Sequence, residues 1–123
     1  MIKNLLLVFI GGGLGSSLRF IISKYLNASS LIPYGTFLVN ILGSLLLGLI
    51  LGWAIKSNTL NSPMNLILGI GFCGGFTTFS TFSFENYSLI KSGDFVSFAI
   101  YFLGTIILGF LAILIGVLIS RLF

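Results

Sequence analysis

Apolar residues fall into four long runs, at about 4–25, 34–55, 63–88 and 94–122, and the short polar stretches "NASSLIP", "KSNTLNS" and "IKSGD" separate them. A helix needs about 20 apolar residues to cross the hydrocarbon core of a bilayer, so each run predicts one membrane-spanning helix. Pro63 suits the first turn of the third, where its missing N–H costs nothing. Inside the runs the small and polar residues keep a period. Thr36, Asn40, Ser44, Gly48 and Gly52 recur every four positions. Ser97, Tyr101, Thr105 and Gly109 do the same, as do Gly11, Gly15, Arg19 and Ser23. That spacing lays each set along one helix face.

The third run is different. "GFCGGFTTFSTF", Gly71 to Phe82, holds three glycines, three threonines and a serine at membrane depth. Irregular backbone there is tolerated only inside protein or beside a water-filled cavity. Gly74-Gly75 followed by Thr77-Thr78 therefore predicts a broken helix. A break presents carbonyl oxygens at the end of the first half and amide donors at the start of the second. The former suit a small cation and the latter an anion.

Composition sharpens this picture. Of 123 residues, 57% are apolar and 7% charged, and mean hydropathy is +1.20. A soluble domain carries about 25% charge. We expect one all-α integral membrane domain over residues 1–123, embedded in lipid. Six basic and two acidic residues lie scattered without a basic run, so no nucleic-acid partner is expected. Neither a nucleophile–base pair nor a metal-ligand cluster stands out, so no enzyme is expected. Cys73 is the lone cysteine and reads as a small buried hydrophobe. The first run is too long for a leader, carries Arg19 and lacks a small-residue cleavage site, so it is expected to remain.

Charge also bears on orientation. Lys3, Lys56 and Arg121 fall on one side of the membrane; Lys24 and Lys91 fall on the other, with Arg19 inside the first run. Orientation follows the bias of Lys and Arg between sides, and here the two sides nearly balance. Either the chain inserts both ways up, which permits an antiparallel homodimer, or a slight bias selects one orientation.

What chemistry do the stripes offer? Gly11/Gly15, Gly48/Gly52 and Gly71/Gly75 have the spacing that lets helices approach closely in lipid. Asn40 demands more, since its amide has two donors and two acceptor sites to satisfy. Arg19 costs about 2.5–3.5 kcal/mol at mid-bilayer; it either snorkels to the interface or faces water or an anion. Phe79 and Phe82 are ordinary core or lipid-facing residues, unless their positive ring edges turn toward a pore. From the residues alone, two readings stand: a pathway for a small anion, or a tightly packed bundle.

Three stretches decide between them. "GGGLGSSLRF" (11–20), "GTFLVNILGS" (35–44) and "GFCGGFTTFSTFSFE" (71–85) resemble the signature stretches of the Fluc/CrcB fluoride channels, and the likeness covers essentially the whole chain. The resemblance implies a dual-topology antiparallel homodimer that conducts fluoride passively through two pores. It implies a structural Na+ at the dimer centre, held by the main-chain oxygens of Gly74 and Thr77. Phe79 and Phe82 match the family's pore phenylalanines, and Asn40 its pore asparagine. Thr78 and Ser80 would donate to the ion, while Tyr101 and Thr105 match a polar track on the fourth helix. Where that track would continue, Gly109 and Ala112 stand instead of hydroxyls. Arg19 and Glu85 match vestibule positions. The implied role is protective, letting fluoride leave across a bacterial-type plasma membrane. The competing reading is a small dual-topology, proton-coupled exporter of organic cations, which wants a carboxylate at mid-membrane; Glu85 and Asp94 both fall near the ends of runs.

Overall fold

The computed structural model describes residues 1–123. Two long helices come first, α1 (Ile2–Leu26) and α2 (Tyr34–Lys56). The third span is built in pieces: α3 (Pro63–Asn65), a π-helical segment (Leu66–Cys73), α4 (Gly74–Phe76) and α5 (Phe79–Lys91). Helix α6 (Phe95–Ser120) closes the chain, and there is no strand. All four stretches are long and apolar enough to cross a membrane, which makes this a multi-pass membrane protein.

The polar connections stop and restart the helices by recognisable chemistry. After α2, Asn58 takes the left-handed conformation (φ 57°), and the N–H groups of Asn58 and Thr59 return to the carbonyls of Ile55 and Ala54. After α5, Gly93 (φ 79°) does the same, its N–H and that of Asp94 reaching Ile90 and Leu89. Both are Schellman endings, which satisfy carbonyls that the helix leaves open. Asp94 then caps α6 by accepting from the Ser97 N–H at 3.1 Å. Ser62 caps α3 by accepting from Asn65 N–H at 3.2 Å, with Pro63 at the first helical position.

Helix α2 packs along α6, while α1 packs against the π-helical segment and α4. The α1 contact is backbone against backbone. A methyl group added at Gly11 would strike the Ile67 carbonyl, and one at Gly15 the Phe72 carbonyl. Gly75 lies equally close to the Gly12 carbonyl. The glycines at 74 and 75 therefore do not carry the irregular backbone. Both are wound helically, and the non-helical residues are Thr77 (φ −84°, ψ 157°) and Thr78 (φ −150°, ψ 124°). Past them the span changes neighbour: its first half lies on α1 and α2, and α5 lies on α6.

Candidate functional site

Two extended residues remove helical partners from the groups on either side, and the structure shows where those groups go. The Thr78 N–H, which would close onto the Gly74 carbonyl in a continuing helix, donates instead to Asn40 Oδ1 at 2.7 Å. Asn40 Nδ2 returns a bond to the Thr78 carbonyl at 3.1 Å. One side-chain amide thus imitates a strand partner for one stretched residue. The Gly75 carbonyl accepts from Arg19 Nε–H at 2.9 Å. Arg19 consequently sits inside the protein, half-buried, with a backbone oxygen as its partner. Thr77 turns its hydroxyl back onto the Cys73 carbonyl at 2.8 Å. Thr78 begins α5 by accepting from the Thr81 N–H at 3.2 Å. Gly74 and Thr77 keep carbonyls whose helical donors have been diverted to Asn40 and to Thr78 Oγ1.

Beside this interruption lies a cavity of about 210 Å³. Asn40 and Ser44 line it from α2, Thr77 and Thr78 from the interruption, Phe79 and Phe82 from α5. Helix α6 contributes Thr105, Ile106 and Gly109. Thr105 is 7% exposed, and its hydroxyl has no hydrogen-bond partner. A buried unpaired hydroxyl costs about 1–3 kcal/mol, so its place on a cavity wall is informative. Ser44 was not among the residues singled out for the site. Only its place four positions after Asn40 on the same stripe pointed to it. It stands opposite Gly109, with its Oγ 3.8 Å from where a Gly109 methyl would be. Helix α2 thus supplies a hydroxyl on the wall where α6 has a glycine.

The two phenylalanines occupy different settings. Phe82 is 3% exposed, tilted against Tyr101 (ring centroids 5.2 Å) and stacked on Phe102 (5.8 Å). Phe79 is 76% exposed and touches its neighbour only at a centroid distance of 6.1 Å. Ser80 is exposed beside it, its hydroxyl 3.4 Å from that of Thr78. Tyr101 lies behind Phe82 and outside the cavity lining. Its OH donates to Glu85 Oε2 at 2.8 Å. Thr36 Oγ1 donates to Glu85 Oε1 at 2.7 Å. Both oxygens of the carboxylate are therefore engaged.

The structure gathers Asn40, Thr78, Phe79, Phe82 and Thr105 around one space, with Thr77 at its edge. Glu85 and Tyr101 form a neighbouring polar cluster. Arg19 reaches the interruption from α1, on the Gly75 carbonyl, and Gly74 is exposed. The cavity wall thus combines polar side chains, one unpaired hydroxyl and two rings of different exposure. No arrangement here activates a nucleophile.

Comparison with known proteins gives the same lineage. Residues 6–117 match the family model described as CrcB-like protein, Camphor Resistance (CrcB). A relative from Phocaeicola vulgatus, named fluoride-specific ion channel FluC, is 46% identical over 97% of this chain and 99% of its own length. Relatives of the same name are 42% identical in Azobacteroides pseudotrichonymphae, over the whole of both chains, and 41% in Oceanobacillus iheyensis, over 94% of this chain and 89% of the relative. With agreement running from end to end and at this level, the chain belongs to the CrcB family, whose members carry the name of ion channels and not of enzymes.

Proposed function

We propose that this protein is a fluoride-selective passive channel that lets fluoride leave the cytoplasm across a bacterial plasma membrane. The observation that carries this reading is the Thr105 hydroxyl, buried without a partner on the wall of the cavity that Asn40, Thr78 and the two phenylalanines share. Fluoride accepts hydrogen bonds strongly and gives up water reluctantly. A pore must therefore offer donors, and offer them weakly enough for release. Asn40 spends one amide hydrogen on Thr78 and keeps a second. Thr105 and Ser44 add hydroxyls, and Thr78 and Ser80 add more where the rings begin. The edges of Phe79 and Phe82 contribute weak positive charge without a cation to trap the ion. The proton-coupled exporter fits less well, because both oxygens of Glu85 are already held by Thr36 and Tyr101.

The functional unit is an antiparallel homodimer. Support comes from Gly74, Phe79, Ser80 and Ser83, all exposed in the single chain. Lipid offers no partners to hydroxyls or freed carbonyls at that depth, whereas a second copy does. At the dimer centre the Gly74 and Thr77 carbonyls of both copies would hold a structural Na+. Those oxygens fit the ion: they are neutral, and their helical donors are engaged elsewhere. Na+ there would supply charge that ties the two interruptions together. Arg19 satisfies Gly75 and leaves its neighbours free for this role.

Purified protein in liposomes, followed with a fluoride electrode and with chloride as control, tests the assignment. Fluoride should leave without a proton gradient, and chloride should stay. Phe79→Ile and Phe82→Ile should each cut the fluoride rate sharply in protein that remains folded. Chloride efflux at the fluoride rate, or strict dependence on protons, would overturn the reading.

A further inference from the structure

Every side-chain hydrogen bond that Asn27 makes ends on Gly35 or Thr36 at the start of α2, and Thr36 is one of the two residues that hold Glu85. Asn27 is the residue at which α1 ends, its backbone N–H still on the Ser23 carbonyl. Its side chain reaches forward. Oδ1 accepts from Gly35 N–H at 2.7 Å and, more loosely, from Thr36 N–H at 3.4 Å. Nδ2 donates to Thr36 Oγ1 at 3.1 Å. The amide cannot be turned over, because an N–H donor at 2.7 Å requires the oxygen on that side.

The two ends of this amide do different work. Oδ1 belongs to helix capping. Pro33 precedes α2 and offers no side-chain cap, yet the first donors of the helix are all placed: Tyr34 N–H on Ile32, Phe37 N–H on Pro33, and Gly35 and Thr36 on Asn27. Nδ2 has no part in that. It occupies an acceptor site of the Thr36 hydroxyl, which has one proton to give, and that proton goes to Glu85 Oε1 at 2.7 Å. Tyr101 covers the other carboxylate oxygen. Donation therefore runs one way, from Asn27 through Thr36 to Glu85, and each Glu85 oxygen carries one donor.

We propose that Asn27 is a positioning residue for conduction: its side-chain NH₂ commits the Thr36 hydroxyl to Glu85 and so keeps the carboxylate covered while an anion passes. This rests on the channel reading above. Without Nδ2, Thr36 is free to turn its proton elsewhere, and an uncovered carboxylate oxygen repels fluoride.

Asn27→Asp separates capping from positioning, since aspartate caps as well as asparagine but has no NH₂ to donate. Fluoride efflux from liposomes would be measured for the parent, Asn27→Asp, Thr36→Val and the double variant, with size exclusion and thermal unfolding as folding controls. We expect Asn27→Asp to unfold like the parent and to lose flux by about tenfold, the size of one hydrogen bond at a barrier. Thr36→Val should lose flux similarly, and the double variant should lose no more than either single. Parent-like flux in Asn27→Asp would overturn the proposal. So would fully additive losses, which would mean that the new charge acts on its own. Should Asn27→Asp not fold, Thr36→Ser against Thr36→Val decides: retained flux only with serine supports the hydroxyl relay, and equal flux in both overturns it. A parent that conducts no fluoride removes the channel reading, and this proposal with it.

Discussion

Thr105 gives the most direct handle on function. Its hydroxyl is buried and unpaired, so Thr105→Val keeps the shape and removes an unsatisfied group. Stability should hold or rise by up to about 1–3 kcal/mol, while fluoride efflux falls. A residue that served only packing would show neither change. Ser44→Ala should also slow efflux, and Gly109→Ser should leave efflux intact or raise it, because Gly109 faces Ser44 across the cavity. Asn40 and Thr105 were legible in the sequence as polar members of helical stripes. Ser44 lay on the same stripe as Asn40 but had nothing to distinguish it from a packing serine. Only the cavity shows that it lines the same space. Arg19 was legible as a costly charge, but its partner was not: a backbone carbonyl from a residue 56 positions away leaves no trace in local pattern.

The helices invite tests of their own. Asn40 closes the backbone of Thr78 with both ends of its amide. Asn40→Ala leaves that N–H and carbonyl without these partners in a half-buried place. The loss should be about 1–3 kcal/mol, read as a lower unfolding temperature in detergent, together with lost efflux. Gly15 lies against the Phe72 carbonyl, so Gly15→Val should push α1 from the third span and destabilise the fold, with a lower yield of monodisperse protein. Asp94 provides a pH test. Ser97, through its side chain and then its N–H, holds the Asp94 carboxyl below the usual carboxylate range. A carboxyl whose pKa is lower folded than unfolded stabilises the fold above its unfolded value, and that contribution disappears as pH falls through the folded value. Unfolding temperature should therefore drop at acid pH, and Asp94→Asn should flatten that part of the profile. The run of glycines and threonines pointed to the region of irregular backbone, while the π-helical winding of Leu66–Cys73 had no sequence signature. It arises beside a backbone-to-backbone contact between two helices, a tertiary circumstance.

Across the whole molecule, most apolar surface is turned outward. Only 11% of the apolar window of the first span is buried within the chain, and no span exceeds 28%, so the surroundings must cover the rest. Lipid can cover Leu, Ile and Phe but not Ser80 or the freed carbonyls. That division supports the second copy proposed above. A tag on the C-terminus should be reachable from both faces of the membrane in intact cells and vesicles. Labelling from one face alone would remove the antiparallel arrangement.

The sequence by itself determined four spans, their approximate limits, the near balance of charge across them and the stripes that carry polar chemistry. These are local properties, set by hydropathy over about 20 residues and by a period along one helix. It also carried the family resemblance, in the stretches at 11–20, 35–44 and 71–85. Only the tertiary structure decided which stripe members meet. Asn40 clamps Thr78, Arg19 takes Gly75, Asn27 and Thr36 lead to Glu85, and Thr105 is left unpaired beside a cavity. Each joins residues on different helices, and the pairing depends on where the third span leaves helical winding and changes neighbours. At that point the Thr78 backbone and the Gly75 carbonyl take side-chain partners from other helices, a condition on the whole bundle and not on any one stretch of chain.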